Sequence, residues 1–467
     1  MRRFSFLTTL LAGLAFTVSC SDDDDTPDPV TPTPEPDANV VEITPSSNGV
    51  GTTTWDSDSV YILRGFIFVN ENQTLTIEPG TVIKGQTGQG SSASALIVAR
   101  GGTIIANGTS TDPIIFTAES DPLDGTFDAA ATQQWGGLII LGRATTNNQD
   151  SPEKLVEGIT DESGRGLYGG SDDSDNSGTL RYVSIRHGGS LLGDANEING
   201  LTLGAVGNGT TIENIEVWSN FDDGIEMFGG TVNLKNVAVS WAGDDAIDYD
   251  EGYRGKLQNV FVWTVTSQLQ SDDPRAGEHD GGVSANERLQ PYAIPTFYNA
   301  TYLMDSDDPT ASITNTIIFR DNAGGKYFNS IFYGYDGSVE VEDLAENPDS
   351  YTRFESGDLE FSNNLLYDIN GVTDNANIED IFTLSGAPEA GNESTWKAYG
   401  ANNNMVADPG FGSGVDAIVP SASEVTSDLA TVPSDGFFSN QQYKGAFQPG
   451  QTPWIANWTK AWEVLNQ

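Results

Sequence analysis

The chain has 467 residues, with 67 Asp plus Glu against 21 Lys plus Arg and a formal charge of −46, a balance that excludes nucleic acid and anionic lipid surfaces as partners. Its 52 Gly and modest hydrophobicity point to a turn-rich all-β protein rather than a helical or disordered one. The single cysteine, Cys20, excludes an intramolecular disulfide and any cysteine-based metal site.

In chain order, Arg2 and Arg3 precede the apolar run Phe4 to Val18, which is too short to span a bilayer comfortably and has the shape of a signal peptide. Thr17-Val18-Ser19-Cys20 resembles a lipobox, which implies that residues 1–19 are a lipoprotein signal and that Cys20 is acylated. Ser21-Asp22-Asp23-Asp24-Asp25 resembles the export signal of Bacteroidota surface lipoproteins. That resemblance implies an outer-membrane protein facing the cell exterior, with its lipid as the only membrane contact. The rest of segment 20–40 is mostly TPDPVTPTPEPDA, whose prolines and like charges favour an extended spacer.

From about residue 60, β-branched runs such as VYILRGFIFV, QTLTIEPGTVIKG and SALIVARGGTIIANG are broken by Gly and Asn, as strands with tight corners are. Seven segments then place Asn third: IENIEVW, LKNVAVS, LQNVFVW, FYNATYL, ITNTIIF, YFNSIFY and FSNNLLY, with Asn214, Asn236, Asn259, Asn299, Asn315, Asn329 and Asn363. The first two intervals are 22 and 23 residues, about one coil of a parallel β-helix, and stacking repeats a turn residue every ~4.8 Å. Asn suits such a corner because its amide can bond the turn backbone and the Asn above and below. LRYVSIR (Leu180 to Arg186) reads as an earlier coil without the Asn, and the long interval from Asn259 to Asn299 as an inserted loop.

With this ladder, residues 60 to 380 resemble the right-handed parallel β-helix, or pectin-lyase-like, superfamily. WGGLIILG, GTLRYVSIRHGG, NEINGLTLGAVGNGT and DDGIEMFGGTVNLKNV resemble Bacteroidota surface lipoproteins of that fold, which implies architecture and address. The expected organisation is a β-helix over 41–385 and a C-terminal cap over 386–467, since a solenoid end exposes core and strand edges. Trp454, Trp458 and Trp462 recur every four residues, the spacing of one helical face in that cap, with a Trp-lined sugar platform as the alternative.

The densest acidic cluster is Asp222, Asp223 and Glu226, followed one coil later by Asp244, Asp245, Asp248 and Asp250. The offset brings these carboxylates to one face, where they suit Ca²⁺, acid and base roles in glycoside hydrolysis, or plain solvated turns. NFDDGIE and GDDAID are similar to the NTDG and GDD elements of polygalacturonase-type glycosidases, a resemblance that implies catalytic roles for Asp223, Asp244 and Asp245. The GHG and RIK elements of those enzymes have no counterpart on later coils. QSDDPRAGEHDGG places Asp272, Asp273, Arg275, Glu278, His279 and Asp280 on the inserted loop, a candidate ligand site. His187, in RHGG, reads as a turn residue, and SDDSDN at Ser171 to Asn176 offers a second set of calcium-type oxygens. No phosphate-binding Gly loop, nucleophile elbow or HExxH is present.

The leading expectation is a surface protein that presents a calcium-stabilised acidic β-helix to an extracellular ligand such as a glycan, with an outer-membrane transporter as a partner class and no organic cofactor. A polysaccharide hydrolase or lyase and a structural or adhesive protein are the alternatives.

Overall fold

The computed structural model describes residues 39–467 apart from 149–150, 152, 157–158, 160–162, 194–195, 272, 309, 311–312 and 345–347. The signal, Cys20, the acidic export run, the Pro-rich spacer and Asp272 lie outside the described residues.

Ten strands, from Phe66–Val69 to Phe382–Gly386, stack in chain order as one wholly parallel sheet, here the front sheet. Two further parallel ladders form the flanks. Strand Gly178–Arg186 shows how they relate, because residues 178–181 pair with Thr103–Asn107 and residues 183–185 with Ile114–Ala118. Two flank strands are therefore joined at a single-residue corner, Tyr182. Each later coil repeats this: Arg181 pairs with Glu213 and Val183 with Ile215, leaving Tyr182 level with Asn214. The fold is a three-sheeted parallel β-helix.

The corner explains the asparagines. Asn214, Asn236, Asn259, Asn299, Asn329 and Asn363 have φ of 57°, 55°, 60°, 59°, 51° and 57°, the left-handed region that Asn tolerates better than other non-glycine residues. Tyr182, at φ 48°, is the corner of the coil that lacks the Asn. Asn236 Nδ2 donates to Asn214 Oδ1 at 3.1 Å, and Asn259 Nδ2 to Asn236 Oδ1 at 2.7 Å. Replacing Asn236 by Ala should cost about 2–3 kcal/mol, from left-handed strain plus lost ladder bonds. Asn236→Gly should cost less because glycine relieves the strain; chemical denaturation of the two variants tests the order.

Asn315 is not a ladder residue. It begins strand Asn315–Arg320 of the front sheet, faces Ser338, and donates to Glu340 Oε2 at 3.0 Å. Its segment has the ladder spelling, but it lies only 16 residues after Asn299, less than one coil.

One inward column of the front sheet is aliphatic or Met in the early coils (Val98, Ile140, Leu203, Met227) and becomes Tyr249, His279 and Phe319 later. The late core is a run of stacked rings, with Tyr249 to His279 centroids at 4.1 Å and Phe297 to Tyr327 at 4.2 Å. Such contacts add to plain area burial.

The end of the solenoid is closed by α1 (Ser350–Ser356) and α2 (Asn392–Asn403), whose buried Trp396 packs against Phe354 and Phe382. The expected division at 385 therefore shifts. Strands continue to Met405–Val406, and most of the supposed cap instead runs back along the flank. Ala430 N donates to Asn329 Oδ1, Asn299 Nδ2 to the Tyr443 carbonyl, and Gln258 Nε2 to the Ser439 carbonyl. The tryptophans lie on that flank rather than on the end: Trp454 and Trp462 join Trp218, Trp241 and Trp263 in one apolar cluster, and Trp458 meets Tyr182 edge-on. They do not share one helix either, since α3 covers only Lys460–Leu465.

Candidate functional site

Alternate residues of the front sheet point away from the core. One outward column begins with Phe68, Ile97 and Ile139, which pack with Val156, Ile159 and Tyr168 from the excursion carrying the hairpin Lys154–Leu155 and Leu167–Tyr168. The same column then changes to Thr202, Glu226, Asp248 and Glu278 on successive rungs. The next column carries Phe228 level with Asp250, and Asp280 level with Arg320. Where the face turns acidic, the hairpin becomes one edge of a pocket of about 470 Å³, with Val283 also on its lining.

The turns that lead into these strands supply the remaining carboxylates. Asp223, Glu226 and Asp248 bring one oxygen each within 4.8 Å of one another, and so do Asp222, Asp223 and Asp244. Asp223 Oδ1 accepts the Asp245 N–H at 2.9 Å, tying the two turns together. Asp248 is 8% exposed, and its Oδ1 is buried without a hydrogen-bond partner. One oxygen each of Asp244 and Asp245 is likewise buried and unpartnered. Burial, and then neighbouring carboxylates, push Asp223, Asp245 and Asp248 well above the usual carboxylate range. Burial and the same crowding raise Asp250 to about 8, while Asp280 reaches about 7 against the opposing effect of Arg320.

Two arginines brace the far side. Arg320 reaches Asp280 at 2.7 Å and Glu278 at 2.9 Å. Arg275 is buried, pairs with Glu278 and Asp273, and lies 3.7 Å from Asp245. At the hairpin edge, Lys154 pairs with the fully buried Glu251, whose other oxygen accepts the Tyr168 hydroxyl at 2.9 Å.

The expected carboxylates of the two coils thus converge, although Asp245 and Asp250 lie outside both three-oxygen groups. The expected ligand loop needs correction. Glu278, His279 and Asp280 belong to a regular strand, Gly277–Asp280, in which Glu278 and Asp280 join the outward face and His279 points into the core. His279 Nε2 lies 2.7 Å from the Tyr327 hydroxyl, and burial lowers its pKa to about 3, so it is a neutral core residue. His187 does occupy a turn, at φ 63°, with Nδ1 2.7 Å from the Ala131 carbonyl. The SDDSDN carboxylates accept from protein donors inside and outside their loop: Asp172 from Ser174, Asp175 from Ser177, and Asp173 from Thr145 N–H and Arg254. Lys154, Leu155, Tyr168, Phe228, Val283 and Arg320 were not singled out from sequence. Only Phe228 and Arg320 carried a signal, as outward positions in alternating strands.

A three-sheeted parallel coil with a carboxylate-lined front face defines a β-helix protein with an acidic surface site. The chain belongs to the pectate-lyase-like β-helix domain family, which matches it over residues 47–409. No match is found among curated proteins or among solved structures.

Proposed function

We propose that this is an outer-membrane surface lipoprotein whose front sheet binds a neutral or cationic extracellular ligand, such as a glycan, and that Asp223, Glu226 and Asp248 hold a calcium ion there. The observation that carries the reading is the Asp248 carboxylate, buried with an unpartnered oxygen among other acids. A buried anion in that position is costly unless a cation compensates it, and calcium prefers several oxygen ligands from flexible carboxylates. Asp222 and Asp244 form a second three-oxygen group through the shared Asp223. The anchor and address are supported by Cys20, the apolar run before it and the acidic run after it.

Titration calorimetry of the full chain with Ca²⁺ should show saturable binding, weakened at least tenfold by Asp248→Asn. Reducing-sugar and unsaturated-product assays on a polysaccharide panel should show no turnover. The second reading, a hydrolase or lyase, is favoured by Arg275 lying beside Asp245, since a β-elimination needs a base near a carboxylate–metal site. Product release abolished by Asp244→Asn would establish it and overturn the binding reading.

A further inference from the structure

The pocket that shares Glu226 and Asp248 with the three-carboxylate group has a second character that a bare ion does not need. Among the described residues the exposed large hydrophobics are Val40, Leu155 and Val283, and two of these three, Leu155 at 40% and Val283 at 48% exposure, border this one pocket. Phe228, level with Asp250 on the front sheet, also lines it. Exposed aliphatic side chains are individually unremarkable, but their concentration beside a carboxylate wall marks a surface suited to an amphipathic partner.

We infer that this pocket is a binding site for an alkylammonium ion, with the ammonium among Glu226, Asp248 and Glu278 and the aliphatic stem against Leu155, Val283 and Phe228. The inference rests on the front sheet being the binding face. Three lines of chemistry select this class. An anionic ligand is repelled by the carboxylates of the wall. A neutral sugar usually stacks on an exposed aromatic face, and here Tyr168 and Phe228 are buried. Between ammonium and guanidinium, the carboxylates come from three successive strands, an arrangement that suits three divergent donors better than one planar fork.

The acids of the wall are not equally committed. Glu278 is held by Arg275 and Arg320, Asp280 by Arg320, and Glu226 accepts from Asn199. Lys154, the chain's own alkylammonium on the lining, is paired with the fully buried Glu251. The Asp248 oxygen is left for a cation, so the ammonium and Ca²⁺ compete for Asp248 and Glu226, and each is titrated in the absence of the other. An ammonium on a chain of four or five methylenes satisfies the acid and the aliphatic rim together, as lysine stems do when they lie along apolar surface. Two sources share this chemistry: free aliphatic diamines or polyamines, and lysine side chains of an extracellular polypeptide.

The test is calorimetry of the full chain at low ionic strength with 1,5-diaminopentane, a blocked Gly-Lys-Gly peptide, ammonium chloride and 1-pentanol, alongside a separate Ca²⁺ titration. At least one amine should bind ten or more times more tightly than the ammonium ion, and pentanol should not bind. Tight binding of the diamine alone identifies the free amine as the source, and of the peptide alone a polypeptide. The surface variant Leu155→Ser/Val283→Ser should weaken the amine at least fivefold and leave Ca²⁺ binding unchanged. Amines no tighter than ammonium, or indifferent to that variant, overturn the inference; Ca²⁺ binding in the same experiment shows that the proposed function survives, and its loss that both fail.

Discussion

Taken from pH 5 to pH 8 without divalent cations, the protein should lose thermal stability, and calcium should return most of it. The carboxyls that matter have folded-state pKa values above their unfolded values: Asp250 at about 8, Asp280 at about 7, and Asp223, Asp245 and Asp248 well raised. Between the unfolded value, roughly 4, and the folded one, the folded chain binds the proton more tightly. Stability therefore falls as pH rises through that window, by up to about 1.4 kcal/mol per pH unit for each group. The groups facing these acids are Asp222, Glu226, Asp244, Glu251, Glu278, Arg275, Arg320 and Lys154; Arg320 moderates the effect on Asp280, and Arg275 that on Asp245, without reversing either. For a chain of this size the fall should be on the order of 5 °C in Tm. Asp248→Asn should be more stable than the native chain at pH 8 without metal, and should lose the stabilisation by calcium. Calorimetric scans at three pH values with and without calcium check this; a Tm that rises with pH would refute the reading of the wall as an uncompensated acidic cluster.

The parts of the molecule legible in the sequence are those set by local chemistry repeated along the coil. Asn214, Asn236 and Asn259 could be placed because a left-handed corner and a shared amide ladder restrict one residue per coil. The convergence of Asp223 and Glu226 with Asp248 followed from one coil length, since parallel stacking turns a sequence offset into adjacency. Where two sheets use similar spelling, the inference failed: Asn315 looks like a corner but begins a front-sheet strand. His279 was misplaced because a four-residue strand with charged outward positions, GEHD, lacks the apolar pattern that announces a strand. The pocket rim was beyond reach for a different reason. Leu155 and Val283 arrive from excursions far apart in sequence, and nothing local fixes where those excursions fold back.

The largest stability effect outside the site should come from Glu216→Ala. Glu216 sits on the flank of the coil, fully buried, and its two oxygens accept the N–H groups of Lys460 at 2.9 Å and Ala461 at 2.8 Å, the first residues of α3. It also accepts the Ser184 hydroxyl at 2.5 Å and lies 3.9 Å from the buried Arg186. One carboxylate thereby caps a helix from the far end of the chain and balances a cation inside the wall of the coil. Its removal strands two helix N–H groups and leaves Arg186 buried without its acid, a loss of about 3–5 kcal/mol. That loss is concentrated where the returning segment meets the solenoid, while the corner ladder and stacked core remain intact. The expected phenotype is local: limited proteolysis should release the C-terminal segment well before the coil is cut, and Trp218, Trp241 and Trp263 should become more accessible to a fluorescence quencher. Glu216→Gln, which keeps an acceptor for one N–H, should give an intermediate result. Cleavage spread evenly along the chain would mean that the strap and the coil unfold together, and that Glu216 supports the whole β-helix rather than its attachment.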